Sequence, residues 1–298
     1  MATLYTHADS NIRKTWILLF LFLILIIGLG WFARYYFENN LFLIIAVVLS
    51  FSQSVASFWF SDKIVLSMTG AKEIQKKDNP ELYRIVENLA ITAGLPTPKV
   101  YIINSAQPNA FATGRDYDHA VIAVTNGLLE KLERAELEGV IAHELAHIGN
   151  KDMLLGTVVV VLVGIVALLS RMFLRISFYS GGSRRKRDKD SSAGIIMILG
   201  VIGMVLAPII AVLIQFSISR KREFLADASG ALLTRYPEGL ARALEKISSD
   251  KAPLKTADSS TAHLYISNPF KEKNWLTGLF STHPPAQERL KALRGMKV

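Results

Sequence analysis

Cysteine is absent from all 298 residues, which excludes disulfides and thiolate metal sites and permits a reducing compartment without proving one. Acidic residues are the scarcer charge, 25 against 34 Lys and Arg, leaving a formal charge of +9. The basic excess is gathered beside apolar stretches, at 13–14, 72–77, 184–189 and 220–222. Charge so placed suits anionic lipid headgroups. No DNA- or RNA-binding signature lies between the clusters, so nucleic acid is not an expected partner. The chain has no internal repeat, and only six histidines. Apolar residues are abundant instead: 51% of the chain is hydrophobic and the mean hydropathy is +0.31, too apolar for an ordinary soluble enzyme. Part of the surface must face lipid.

Four apolar runs organise the chain. The first, 15–32, follows Arg13 and Lys14 and is long enough to cross a hydrocarbon core of ~30 Å. A cleavable signal peptide would be shorter, and 30–34 offers no small-x-small cleavage site. The second, 41–60, is interrupted by Ser50, Ser52, Gln53, Ser54 and Ser57, which predicts packing against another helix, so 1–61 reads as a transmembrane hairpin. The third and fourth, 153–174 and 193–216, flank a basic loop at 175–192 and make a second apolar pair, 153–216. The remaining segments, 62–152 and 217–298, have soluble composition and read as the two parts of one domain. Within them the patterns predict a helix over 80–93, strands over 100–103 and 119–125, and a loop over 107–114. Asn126-Gly127 is expected to close the second strand. Further helices are predicted over 130–150, 219–236 and 237–247, and a last one to 293 after Pro284-Pro285.

The stretch carrying chemistry is His143-Glu144-Leu145-Ala146-His147, an H-E-x-x-H pattern inside the 130–150 helix. Residues four apart share a helix face, so both imidazoles can meet one metal ion, with Glu144 beside it as a base for metal-bound water. A catalytic zinc site keeps three protein ligands and one open position. Without cysteine the third must be His, Glu or Asp, and the best candidate is Glu223 in Arg222-Glu223-Phe224-Leu225-Ala226-Asp227. Asp227, one turn on, is placed to accept the free ring N–H of a ligand histidine. The charges of the 130–150 helix predict that much of it is wetted, which sets it apart from intramembrane proteases of the site-2 type.

These motifs, followed in order by Ser281-Thr282-His283-Pro284-Pro285 and accompanied by the apolar runs, resemble the M48 family of membrane metallopeptidases, in its HtpX-like heat-shock group. The resemblance runs from Thr15 to the C-terminus. It implies an α+β fold: a mostly helical membrane protein with four apolar helices and a gluzincin-type metallopeptidase domain carrying a small β-sheet. It implies one Zn2+ per chain on His143, His147 and Glu223. It also implies endoproteolysis of misfolded or membrane polypeptides at the cytoplasmic face of the cell membrane, as part of stress response. The alternative is a catalytically idle membrane scaffold of the same fold. His283 is the candidate donor to the oxyanion, and His119, Val121, Ala123 and Thr125 mark the strand expected to pair with substrate. The basic loop departs from the simple family topology. If both flanking runs cross the membrane, the loop lies opposite the active site, against the positive-inside rule.

Overall fold

The computed structural model of the chain describes residues 4–181, 220–250, 252, 260–267, 269 and 284–296. Two long helices open it, α1 (Leu4–Phe37) and α2 (Leu41–Trp59), joined by three residues. Their close crossing is set by Gly30, where an added Cβ would lie 2.2 Å from the Ala46 Cβ. Ser50 and Ser57 of α2 are buried, as the packing expectation required, while Trp16, Phe20, Ile44, Val48 and Phe51 stay exposed as a lipid-facing belt. Among the described residues these are the two helices long and apolar enough to cross a membrane alone.

Helix α3 (Ser61–Thr69) leads to a four-stranded sheet: β1 (Lys72–Glu73), β2 (Lys99–Ile103), β3 (Ala110–Thr113) and β4 (Val121–Thr125). The spatial order is β1-β2-β4-β3, with β2 and β4 parallel and the other pairs antiparallel. Helix α4 (Pro80–Ala93) has the predicted bounds; the Asn79 side chain caps its start and left-handed Gly94 ends it. β4 closes at Asn126-Gly127 as expected, and short α5 (Asn126–Lys131) begins there. Thr125 accepts from the Leu128 N–H and so opens this helix. β3 was expected to be loop. It is a four-residue strand, too short to leave a period in the sequence.

The metal-motif helix is α6 (Arg134–Gly149), followed by α7 (Asp152–Gly181), α8 (Arg220–Thr234), α9 (Pro237–Ser249) and α10 (Ala286–Arg294). One hydrophobic core takes Leu82, Ile122, Val140, Leu145, Ala231, Leu240 and Leu290, so both predicted soluble parts share an interior. α6 is wetted less than expected: its fully exposed residues lie in the first turn, Glu138, Ala146, His147 and Gly149 are partly exposed, and Glu136 and residues 139–145 are buried by protein. The third apolar run lies in α7, whose residues Leu155, Val159 and Leu162 pack on Leu18 and Phe22 of α1. The α6–α7 junction bends by 83°. The fourth run, 193–216, lies outside the described residues, as does most of the basic loop.

Candidate metal centre

Helix α6 is held at its start by a reciprocal cap: the Glu133 N–H donates to Glu136 Oε2 at 2.8 Å, and Lys246 Nζ reaches the same oxygen at 2.7 Å. It ends where Lys151 takes a left-handed φ of 54°, and α7 leaves in a new direction. That break puts Asp152 in the first turn of α7, where the helix dipole favours a carboxylate. Helix α8 comes in tightly. A Cβ on Gly230 would sit 2.9 Å from the His143 backbone nitrogen, so only glycine lets the helix carrying Glu223 approach this closely.

Three donors converge. His143 Nε2 and His147 Nε2 are 3.2 Å apart, and the Glu223 carboxylate oxygens lie 3.8 Å from the first and 3.6 Å from the second. Tetrahedral zinc with bonds of about 2.0–2.1 Å holds its ligand atoms roughly 3.4 Å from one another, so this spacing fits. The opposite ring nitrogens face carboxylates, His143 Nδ1 at 3.0 Å from Asp227 Oδ1 and His147 Nδ1 at 3.0 Å from Asp152 Oδ2. With protons held on Nδ1 by these acids, both Nε2 lone pairs point at one place. Two lone pairs so close repel unless a proton or a metal cation lies between them, and the Glu223 carboxylate completes a set of three donors. The donor set therefore suits a metal.

Each backing carboxylate meets an arginine. Arg289, fully buried, binds Asp227 through Nε at 2.8 Å and Nη2 at 2.6 Å, and its Nη1 reaches the Ile266 carbonyl at 3.1 Å. Arg222 Nη1 lies 3.3 Å from Asp152 Oδ1. Burial would raise the Asp227 carboxyl, but Arg289 outweighs it and holds it down to about 2. Burial pulls His143 down to about 4, against the pull of Asp227. Burial acts the same way on His147, yet the Asp152 hydrogen bond and the Glu223 charge overcome it and lift this imidazole to about 9. Glu144 is only 2% exposed; burial, aided by Glu223 and opposed by His147, raises it to about 7, while the Ala112 N–H donates to its carboxylate. A carboxyl with that value is poised to take and return a proton near neutrality.

The structure thus brings His143, Glu144, His147, Glu223 and Asp227 into one cluster, and His283 lies outside the described residues. The expected substrate strand does not fit. β4 is bonded to β2 on one side and β3 on the other, so Val121, Ala123 and Thr125 have no edge to offer. His119 precedes the strand in a 3-10 turn (Tyr117–His119), exposed, with Nδ1 2.5 Å from Asp116 Oδ1. The crossover from β2 puts the later strand β4 inside the sheet and leaves the earlier β3 at its edge, beside α6. Sequence reasoning also missed Asp152 and Arg289. The only signals were an acid five residues after His147 and an arginine four after Pro285, each indistinguishable from a surface charge.

The family model for peptidase family M48 matches residues 76–297. A Protease HtpX homolog of Caldanaerobacter subterraneus subsp. tengcongensis is 46% identical over 301 residues, covering 99% of this chain and 99% of that protein. Another, from Dictyoglomus thermophilum, is 46% identical over 298 residues, covering 99% of this chain and 95% of its own length. Among solved structures, the crystal structure of S. mikatae Ste24p aligns with 97% of this chain and 67% of its own, at a TM-score of 0.50 and 21% identity, a likeness of fold alone. With the family model spanning the metal cluster and full-length relatives nearly half identical, the chain belongs to peptidase family M48.

Proposed function

We propose that the chain is a membrane-anchored zinc endopeptidase that cleaves misfolded or membrane polypeptides at the cytoplasmic face of the cell membrane. The observation carrying this reading is the convergence of His143 Nε2, His147 Nε2 and the Glu223 carboxylate at 3.2–3.8 Å, next to buried Glu144. The α1–α2 hairpin supports anchoring, and the names of the relatives support the reaction class. Zinc held there would act as a Lewis acid on the scissile carbonyl and bring the pKa of water from 15.7 to near 7. Glu144 takes the proton of the attacking water and delivers it to the leaving amine. Burial raises this carboxyl above the usual carboxylate range, which favours both taking and returning the proton. Asp227 and Asp152 hold the imidazoles in the tautomer that presents Nε2.

An extended substrate needs a strand edge, and β3 takes the place expected of β4. Ala110 and Ala112 turn their backbone groups away from β4. The Ala110 carbonyl accepts the Ile266 N–H at 2.9 Å and the Ala112 N–H goes to Glu144, so the Ala112 carbonyl is the acceptor next to the base. A peptide pairing there would pass directly over the metal cluster.

The test is to purify the full chain in detergent with a chelator and then restore zinc in the presence of an unfolded protein such as casein. Cleavage that returns with zinc supports the peptidase. Zinc uptake without cleavage would leave the idle scaffold.

A further inference from the structure

We propose that Asn11 of the first membrane helix is a positioning residue of the metal centre, orienting Asp152 and through it His147. The inference rests on the zinc reading of the site. Helix α1 spans 34 residues, roughly 50 Å at 1.5 Å per residue, well beyond the ~30 Å hydrocarbon core. Its first turns therefore have length to spare for contact with the catalytic domain. Asn11 lies in that part, 2% exposed, though an asparagine at a membrane helix end has every reason to face water.

Its side-chain amide is fully engaged. Nδ2 donates to Asp152 Oδ1 at 2.7 Å and to the Asn150 carbonyl at 3.0 Å, and Oδ1 faces Arg222 Nη1 at 3.5 Å. The two donations bracket the α6–α7 bend, where the break in the helix leaves the Asn150 carbonyl without an intrahelical partner. They also assign the two oxygens of Asp152. With Oδ1 held by Asn11 and Arg222, Oδ2 is the oxygen left for His147 Nδ1 at 3.0 Å. One turn along, buried Thr15 donates only to the Asn11 backbone carbonyl, at 2.9 Å. Thr15 thus touches the same helix but not the centre. A chain of Asn11, Asp152 and His147 ties the membrane anchor to one metal ligand. A helix needed only for anchoring has no use for that link.

The test measures zinc affinity, by competition with a chromophoric chelator, on the full chain in detergent, so turnover plays no part in the readout. Removing a partner that orients a metal ligand costs 10–100-fold in affinity, and Asn11 acts one residue further out. Asn11→Ala is expected to weaken zinc binding about tenfold, with Asn11→Ser, which keeps one donor, in between. Asn11→Ser also stands in for the same comparison should the alanine variant fold poorly. Thr15→Val is expected to match wild type. In the Asp152→Ala background, Asn11→Ala should cost nothing further, because its route to the metal is gone. Wild-type affinity in Asn11→Ala and Asn11→Ser, or an equal loss with and without Asp152, overturns the role of Asn11. A wild-type chain that takes up no zinc overturns instead the reading of the site itself.

Discussion

Arg289 grips Asp227 through two nitrogens at 2.6 and 2.8 Å, both residues almost wholly buried, directly behind His143. Such a pair is costly to desolvate and costlier to break, since removing one partner strands the other charge: about 3–5 kcal/mol. Arg289→Ala should therefore lower the stability of the catalytic domain by that order and reduce zinc content. Arg289→Lys keeps the charge but loses the fork, so it should fall between. Thermal unfolding and metal analysis of the two variants decide it. Wild-type behaviour of Arg289→Ala would show that Asp227 needs no counter-charge.

Glu144→Gln should retain zinc and lose hydrolysis, because the amide cannot take the proton while both imidazoles remain. Glu223→Ala should lose metal as well as activity. Metal content and casein cleavage, measured together, separate the two outcomes. Activity within a few-fold of wild type in Glu144→Gln would remove it as the base.

Gly230→Ala adds a methyl that would lie 2.9 Å from the His143 nitrogen and 3.1 Å from its Cα, against backbone that cannot yield. The helix bearing Glu223 must back away, at about 1–3 kcal/mol and with reduced zinc affinity. Gly28→Ala, with nothing within 4 Å, is the matched control and should be neutral. Equal behaviour of the two would mean that the close approach of α8 is not required.

His283→Ala is expected to keep zinc and lose on the order of a hundredfold in turnover with little change in KM, as removal of an oxyanion donor does. Unchanged kcat would leave this histidine a structural residue.

Because the chain has no cysteine, a single introduced thiol reports its side of the membrane without background. Ser248→Cys, exposed at the end of α9, should resist an impermeant reagent in intact cells and react after permeabilisation. Labelling in intact cells would invert the cytoplasmic assignment. Arg185→Cys then reports the basic loop: labelling places it outside, protection places it in a hairpin that does not cross.

What could be read in advance follows from what leaves a local period. His143, Glu144 and His147 are fixed by one helical turn, and α4 by its apolar stripe with Asn79, Pro80 and Gly94 at its ends. Glu223 and Asp227 were reachable as candidates because the missing cysteines leave His, Glu or Asp for a third ligand, the two share a helix face, and their motif follows H-E-x-x-H in the order of the resembled family. By contrast, the position of β4 depends on a crossover, which no window of residues records, so its edge was misjudged. Arg289, Asp152 and Asn11 stand among other polar residues, in 287–291, 150–152 and 9–14, with nothing local to single them out. Each becomes legible only once distant helices meet, 62 residues apart for Arg289 and Asp227 and 141 for Asn11 and Asp152.

The close seat of α8 on α6 at Gly230, and of Arg289 behind Asp227, bears on the timing of biosynthesis. Glu144, the proposed base, is made early, but its neighbours Glu223 and Arg289 follow much later. At 5–20 residues per second the gap from Glu144 to Arg289 is roughly 10 s of synthesis. Over that interval the nascent chain carries its base without a finished metal pocket. On the proposed reading, hydrolysis waits until the last helix, which carries Arg289, has been made and packed.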